Sequence, residues 1–209
     1  MSVHDFSLRE LKFGSNRRKI MEEFLDRLTE QAISDIHVED ICKAVGISKV
    51  TFFRYFHSKE EIVYYFILGW EYARSYDAVE GIFHGRRGIE HIFESIAREP
   101  FAQNTMLSLT RYLSKSAPHG LQIALTGYEY SLFHEEAYRE KIRPMNVMEI
   151  MSHYLGELGL ATDDADSICQ MLMAILYGAP LVAKCSGNMP LKDLYKKNLA
   201  LLFHTIENR

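Results

Sequence analysis

The sequence predicts an all-α protein, with an N-terminal three-helix domain carrying a helix-turn-helix and a larger helical domain after it. Three observations carry that expectation. Apolar residues recur at helical spacing over nearly the whole chain. No stretch sustains the period-two alternation of a half-buried strand, and no Asn-Gly or Asp-Gly hairpin turn occurs. Two short apolar-periodic segments meet at Gly46, a spacing suited to a tight turn between helices.

The elements follow in order. Ile20, Phe24, Leu25 and Leu28 share one face of a first helix expected from about Ser15 to Gln31. Val38, Ile41, Cys42 and Val45 mark a short second helix stopped by Gly46. Ser48 stands where an N-cap belongs, its hydroxyl able to accept from the free amides of a third helix, Lys49 to Phe56. Ser58-Lys59-Glu60-Glu61 reads as a capping box opening a fourth helix toward Tyr76 or beyond. Gly81, Gly85 and Gly88 then break the pattern. Pro100 and Pro118 read as helix starts, because a first turn tolerates proline. The stretch from Gly120 to Gly127 is ambiguous. Pro144 should kink or divide a helix through Met148, Met151 and Leu155 that ends at Gly156 or Gly159. Two final helices, Asp163 to about Lys184 and Pro190 to about Ile206, are joined by Ser186-Gly187-Asn188, short enough to make them antiparallel neighbours.

Composition narrows the function classes. A hydrophobic fraction of 47% with 25% charged residues is that of a globular chain. No apolar run approaches the ~18 residues of a membrane span; the longest, Ile62 to Trp70, is followed by Glu71 and Arg74. His4, Asp5, Arg9 and Glu10 stand where a signal peptide needs an apolar core, so a cytoplasmic location without a membrane partner is expected. Cys42, Cys169 and Cys185 are odd in number and lack a CxxC pair, which argues against a disulfide framework and a zinc site and for small buried side chains. The nine histidines include no HxxxH pair, and neither GxSxG, a phosphate loop nor a dinucleotide turn occurs. No enzyme activity, catalytic residue, metal or cofactor is therefore expected. The net charge is −4, yet residues 1–60 hold ten Lys/Arg against ten Asp/Glu, clustering Arg17-Arg18-Lys19 and then Lys49, Arg54 and Lys59. Affinity for phosphate depends on such local placement, not on the sum.

In the helix-turn-helix, Ile41, Val45, Ile47 and Phe52 must pack the two helices together, Cys42 admits their close approach, and Gly46 supplies the turn conformation. The exposed face of the third helix then offers Lys49, Val50, Thr51, Phe53, Arg54 and Tyr55 to a DNA groove, its first residues nearest the base edges. Phe52 and Phe56 are core.

The run VEDICKAVGISKVTFFRYFHSKEEIVYYF resembles the DNA-binding domain of the TetR (tetracycline-repressor-like) regulators. The matching residues are Val38, Asp40, Ile41, Gly46, Ser48, Thr51, Phe52, Tyr55, Phe56, Ser58, Lys59, Glu60 and Glu61. The resemblance implies base contacts by Lys49, Val50 and Thr51, and backbone contacts by Phe53, Arg54, Tyr55 and Lys59. It makes Ser48 both cap and phosphate ligand. His37 stands where the family has a capping Thr or Ser, Phe53 lacks the usual tyrosine hydroxyl, and Val50 replaces a small residue. Val50 can pack against a thymine methyl.

The resemblance further implies domains at 1–58 (DNA binding) and 59–209 (effector binding and dimerisation). Ile168, Leu172, Ile175 and Ala179, with Leu194, Leu199 and Leu202, form apolar stripes expected to pair in a homodimer. Trp70, Met106, Tyr112, Met148 and Tyr177 are the residues expected to line an apolar effector cavity. The partners implied are a palindromic double-stranded DNA operator and a small apolar or aromatic effector that releases a repressor. A DNA-bound activator of the same fold, or a helical interaction module without DNA binding, is the alternative.

Overall fold

Ser7 opens the first helix well before the apolar periodicity suggests. Its hydroxyl accepts from the Glu10 amide at 3.2 Å, and the Glu10 carboxylate accepts from the Ser7 amide at 2.9 Å, so two orphan donors are satisfied at once. Helix α1 thus spans Leu8–Glu30. Gly14 lies inside it: a Cβ there would stand 2.8 Å from Cδ1 of Tyr128, and the packed ring requires bare backbone.

The computed structural model describes residues 6–116, 123–187 and 189–207, and these form helices and turns with no strand among them. After α1 come α2 (Val38–Val45), α3 (Lys49–Tyr55), α4 (Lys59–Val79), α5 (Gly85–Ala97) and α6 (Ala102–Ser116). They are followed by α7 (Gly127–Phe133), α8 (Glu135–Arg139), α9 (Val147–Gly156), α10 (Thr162–Ser186) and α11 (Leu191–Glu207). The all-α expectation holds. Pro144 divides as expected, with Asn146 capping α9 beyond it. Gly88 does not break the pattern but lies buried within α5. Pro100 stands in the turn before α6, and Pro118 lies outside the described residues.

Packing groups the helices into two units. One runs to Ala73 and resumes over Ser108–Arg143; the other is Arg74–Leu107 with the chain from Pro144 onward. Helices α4 and α6 contribute to both, so this partition follows packing and differs from the functional division expected at residues 58 and 59.

The first unit buries Ile20, Phe24 and Leu28 of α1 against Ile41, Phe52, Phe56 and Ile62. A polar staple holds α7 to α1 behind that core. Buried Arg17 pairs with buried Glu129 at 3.0 Å, the Tyr65 hydroxyl donates to the same carboxylate at 2.8 Å, and the guanidinium lies 4.2 Å from the Tyr65 ring centroid. Burial, then the neighbouring Glu129 charge, drives the Tyr65 hydroxyl far above the usual phenol range.

The second unit packs α5, α9, α10 and α11 around Ile92, Phe93, Met151, Tyr154, Leu172, Leu176, Tyr195 and Phe203. Pro180 lies buried within α10 and has no N–H to give the Leu176 carbonyl one turn back. The Tyr195 hydroxyl of α11 donates to that carbonyl at 2.8 Å instead. Helix α10 holds no unbroken apolar run of ~18 residues, yet by length and composition alone it passes for a membrane span, as the core helix of a globular protein also can. Its mean hydropathy reaches 1.6, because Ser, Gln and Gly interrupt its apolar residues without adding charge. Only 39% of that stretch is buried in the structure.

Candidate nucleic-acid interface

The turn between α2 and α3 is built by three local devices. Gly46 takes the left-handed conformation (φ 73°, ψ 35°) as C-cap of α2, its amide returning to the Cys42 carbonyl. Ser48 caps α3, its hydroxyl accepting from the Thr51 amide at 3.1 Å and lying 2.9 Å from the Thr51 hydroxyl. Phe52 and Phe56 fill the core with no exposed surface. His37 caps α2 by position but makes no side-chain cap bond.

With Phe52 turned inward, α3 turns Lys49, Val50, Phe53 and Arg54 outward. Val50 is 74% exposed and Phe53 47%, a large commitment of apolar surface to solvent on a seven-residue helix. Lys49 is ion-paired with Glu39 of α2, and that hydrogen bond holds the Glu39 carboxyl below its ordinary range. Tyr55 is half-buried. Its ring lies 5.2 Å from Phe13, and its hydroxyl accepts from the Asn16 side chain at 2.8 Å. Ser48 is exposed and Thr51, like Tyr55, half-buried, so none of the residues the sequence assigned to the groove-facing surface of α3 is buried.

Several basic groups are differently employed than their sequence positions suggest. The Lys59 ammonium donates to the carbonyls of Ile33 at 2.5 Å, Ser34 at 3.4 Å and Ile36 at 2.8 Å, closing the loop between α1 and α2. Arg17 is buried in the staple, and Arg18 pairs with Glu22 while donating to the Leu132 carbonyl at 2.7 Å. The capping box at α4 is a variant. Ser58 accepts from the Glu61 amide at 3.2 Å, but the Glu61 carboxylate reaches one residue further back, to the His57 amide at 2.7 Å.

The sequence reading passed over the first turns of α1. There Arg9, Lys12 and Phe13 share a basin of about 550 Å³ with Thr51, Phe53, Arg54, Tyr55 and His57. The signal for them was the Ser7-x-x-Glu10 capping box, which extends α1 far enough to set them beside α3.

The other site residues are distributed as follows. Trp70 is buried and Tyr112 half-buried in the first unit; Met106, buried, Tyr177, half-buried, and Met148, exposed, belong to the second. Of the residues assigned to the dimer stripe, Ile168, Leu172, Ala179, Leu199 and Leu202 are buried inside the second unit, while Ile175 and Leu194 are half-buried. The apolar side chains left exposed on α10 and α11 are Met171, Leu181, Val182 and Leu201. Cys42 and Cys169 are buried, as expected of small core residues, whereas Cys185 is exposed. Burial pushes the Cys42 thiol above its ordinary range, with Glu39 adding to the effect.

A capped three-helix head presenting a short outward-facing third helix defines a helix-turn-helix DNA-binding protein. Residues 27–65 match the family described as bacterial regulatory proteins, tetR family. The match spans the end of α1, the helix-turn-helix and the start of α4. No curated protein matches it.

Proposed function

We propose that the chain is a homodimeric repressor that reads a palindromic operator with α3 and is released by a small apolar or aromatic effector. The observation that carries the DNA-reading part is the outward face of α3. Val50 and Phe53 are exposed on a helix that buries Phe52, and Lys49 and Arg54 flank them. Exposed apolar groups beside cations on a recognition helix fit a major groove, where thymine methyls and phosphates lie side by side. Two such helices in a dimer would address half-sites about 34–36 Å apart.

The division of labour at residues 58 and 59 and the effector rest on the family resemblance, the cytoplasmic setting on the polar residues His4, Asp5, Arg9 and Glu10 near the start of the sequence. Helix α4, which begins beside the head and contributes to both packing units, is the element suited to shift the population toward a form with misplaced recognition helices. Dimerisation is assigned to the exposed residues of α10 and α11.

An unbiased selection of bound duplexes tests the reading. The wild-type chain should enrich a two-fold symmetric sequence. Val50→Ala keeps the helix and removes the isopropyl group, so it should lose preference at a single base pair in each half-site. Lys49→Ala should relax preference more broadly. A wild-type selection that enriches nothing would overturn the proposal.

A further inference from the structure

We infer that the first turns of α1 form a seat for the DNA sugar-phosphate backbone, with Arg9 and Lys12 acting beside Arg54. The inference rests on the DNA-binding reading and goes beyond it by placing backbone affinity on a helix outside the helix-turn-helix.

Most cations of the head are already committed. Lys59 places its ammonium on loop carbonyls, Lys49 is paired with Glu39, and Arg17, Arg18 and Arg27 all hold carboxylates of the same unit. Tyr55 gives its hydroxyl oxygen to Asn16, and Phe53 has no hydroxyl. These seven groups on or near the head, five cations with Tyr55 and Phe53, are thus occupied or lack the donor. Arg9, Lys12 and Arg54 differ: among the described residues none of them has a carboxylate partner, and all three are exposed.

They also share one concavity. Arg9 and Lys12, one turn apart on α1, line the same basin as Phe13, Thr51, Arg54 and His57. A basin open to solvent, rimmed by three unpaired cations and a hydroxyl, suits an extended polyanion and not a compact apolar ligand. Its position beside α3 lets one strand's phosphates lie across it while α3 addresses the groove, the arrangement in which a preceding helix crosses the backbone. A phosphodiester is the chemistry these groups recognise, and because they touch no base edge from that side they add affinity without sequence preference.

The test measures the salt dependence of binding by the full chain to its selected operator and to an unrelated duplex of equal length. Each phosphate contact contributes about 0.9 to the slope of log K against log salt. Arg9→Ala/Lys12→Ala should therefore flatten the slope by about 1.8, by the same amount on both duplexes, with the melting midpoint unchanged. Lys196→Ala, which removes an exposed charge on α11, should leave the slope unaltered. A double variant with the wild-type slope would overturn the seat while leaving the regulator reading intact. Weakening confined to the operator would make the pair base-reading residues and overturn it equally. Wild-type protein that binds neither duplex would overturn the regulator reading, and the seat with it.

Discussion

Lys59 shows how one side chain can be identified by pattern and still have a different employment. Its ammonium carries three donors, and three loop carbonyls 23–26 residues upstream take them. Hydrogen bonds to a charged donor contribute about 1.5–3 kcal/mol each in favourable cases, and the half-buried setting with shared geometry puts the set near the lower end. Lys59→Met keeps the aliphatic stem and removes the donors. It should lower stability by about 1–3 kcal/mol in chemical denaturation, while the salt slope of DNA binding by the folded fraction stays at the wild-type value. A flatter slope would show that Lys59 serves phosphate after all. The local devices of the head were legible because each is written in neighbouring residues: Gly46 for a left-handed cap, Ser48 for an N-cap three residues from Thr51, Phe52 and Phe56 one turn apart. The employment of Lys59, Arg17 and Arg18 was not, because their partners are Ile33, Glu129 and Leu132, set against them by tertiary packing that periodicity does not encode.

At the scale of elements, the junction of α10 and α11 turns on a backbone defect and its repair. Pro180 leaves the Leu176 carbonyl without its helical donor, and buried Tyr195 supplies one. Tyr195→Phe should then cost about 1–3 kcal/mol, the penalty of a buried acceptor left unmade. In a Pro180→Ala background the backbone amide returns, and the same substitution should cost measurably less. Equal costs in the two backgrounds, by thermal or urea unfolding, would dissolve the link between the two residues. Asp77 makes a second element-level prediction. Burial alone would raise its carboxyl, but hydrogen bonds from His91 at 3.3 Å and Arg74 at 2.5 Å, with their charges, outweigh it and hold it below the ordinary range. A depressed folded-state pKa stabilises above the unfolded value of about 3.9 and ceases to do so as pH falls through the folded one. Asp77→Asn should therefore flatten the acid limb of the stability curve below about pH 4 and leave the shape above it unchanged. The early start of α1 belongs to this scale as well. Apolar periodicity places its start near Ser15, and the Tyr128 ring packed on Gly14 explains why a glycine stands inside that helix.

For the whole molecule, the question is what covers the outer face of α10 and α11. Of the residues the sequence assigned to a dimer stripe, Ile168, Leu172 and Ala179 on α10, and Leu199 and Leu202 on α11, close the core of their own unit. An apolar moment read from sequence points to burial without saying whether the partner is the same chain or another. The structure separates the two, because Met171, Leu181, Val182 and Leu201 remain about half exposed, with Ala174 and Gly178 between them in steps of about one turn, small enough for close approach of a second helix pair. If this face is the dimer contact, Leu181→Glu/Leu201→Glu should halve the sedimenting mass at micromolar concentration. The monomer it releases should remain helical, because neither side chain supports the core. Leu172→Ala, by contrast, should cost about 2–5 kcal/mol through a cavity and lower stability whatever the oligomeric state. DNA binding by the charged variant should fall further on a symmetric operator than on a single half-site, since only the dimer engages both halves at once. A wild-type chain that sediments as a monomer, or a charged variant that remains dimeric, would remove this face from the interface and with it the geometric basis for reading two half-sites.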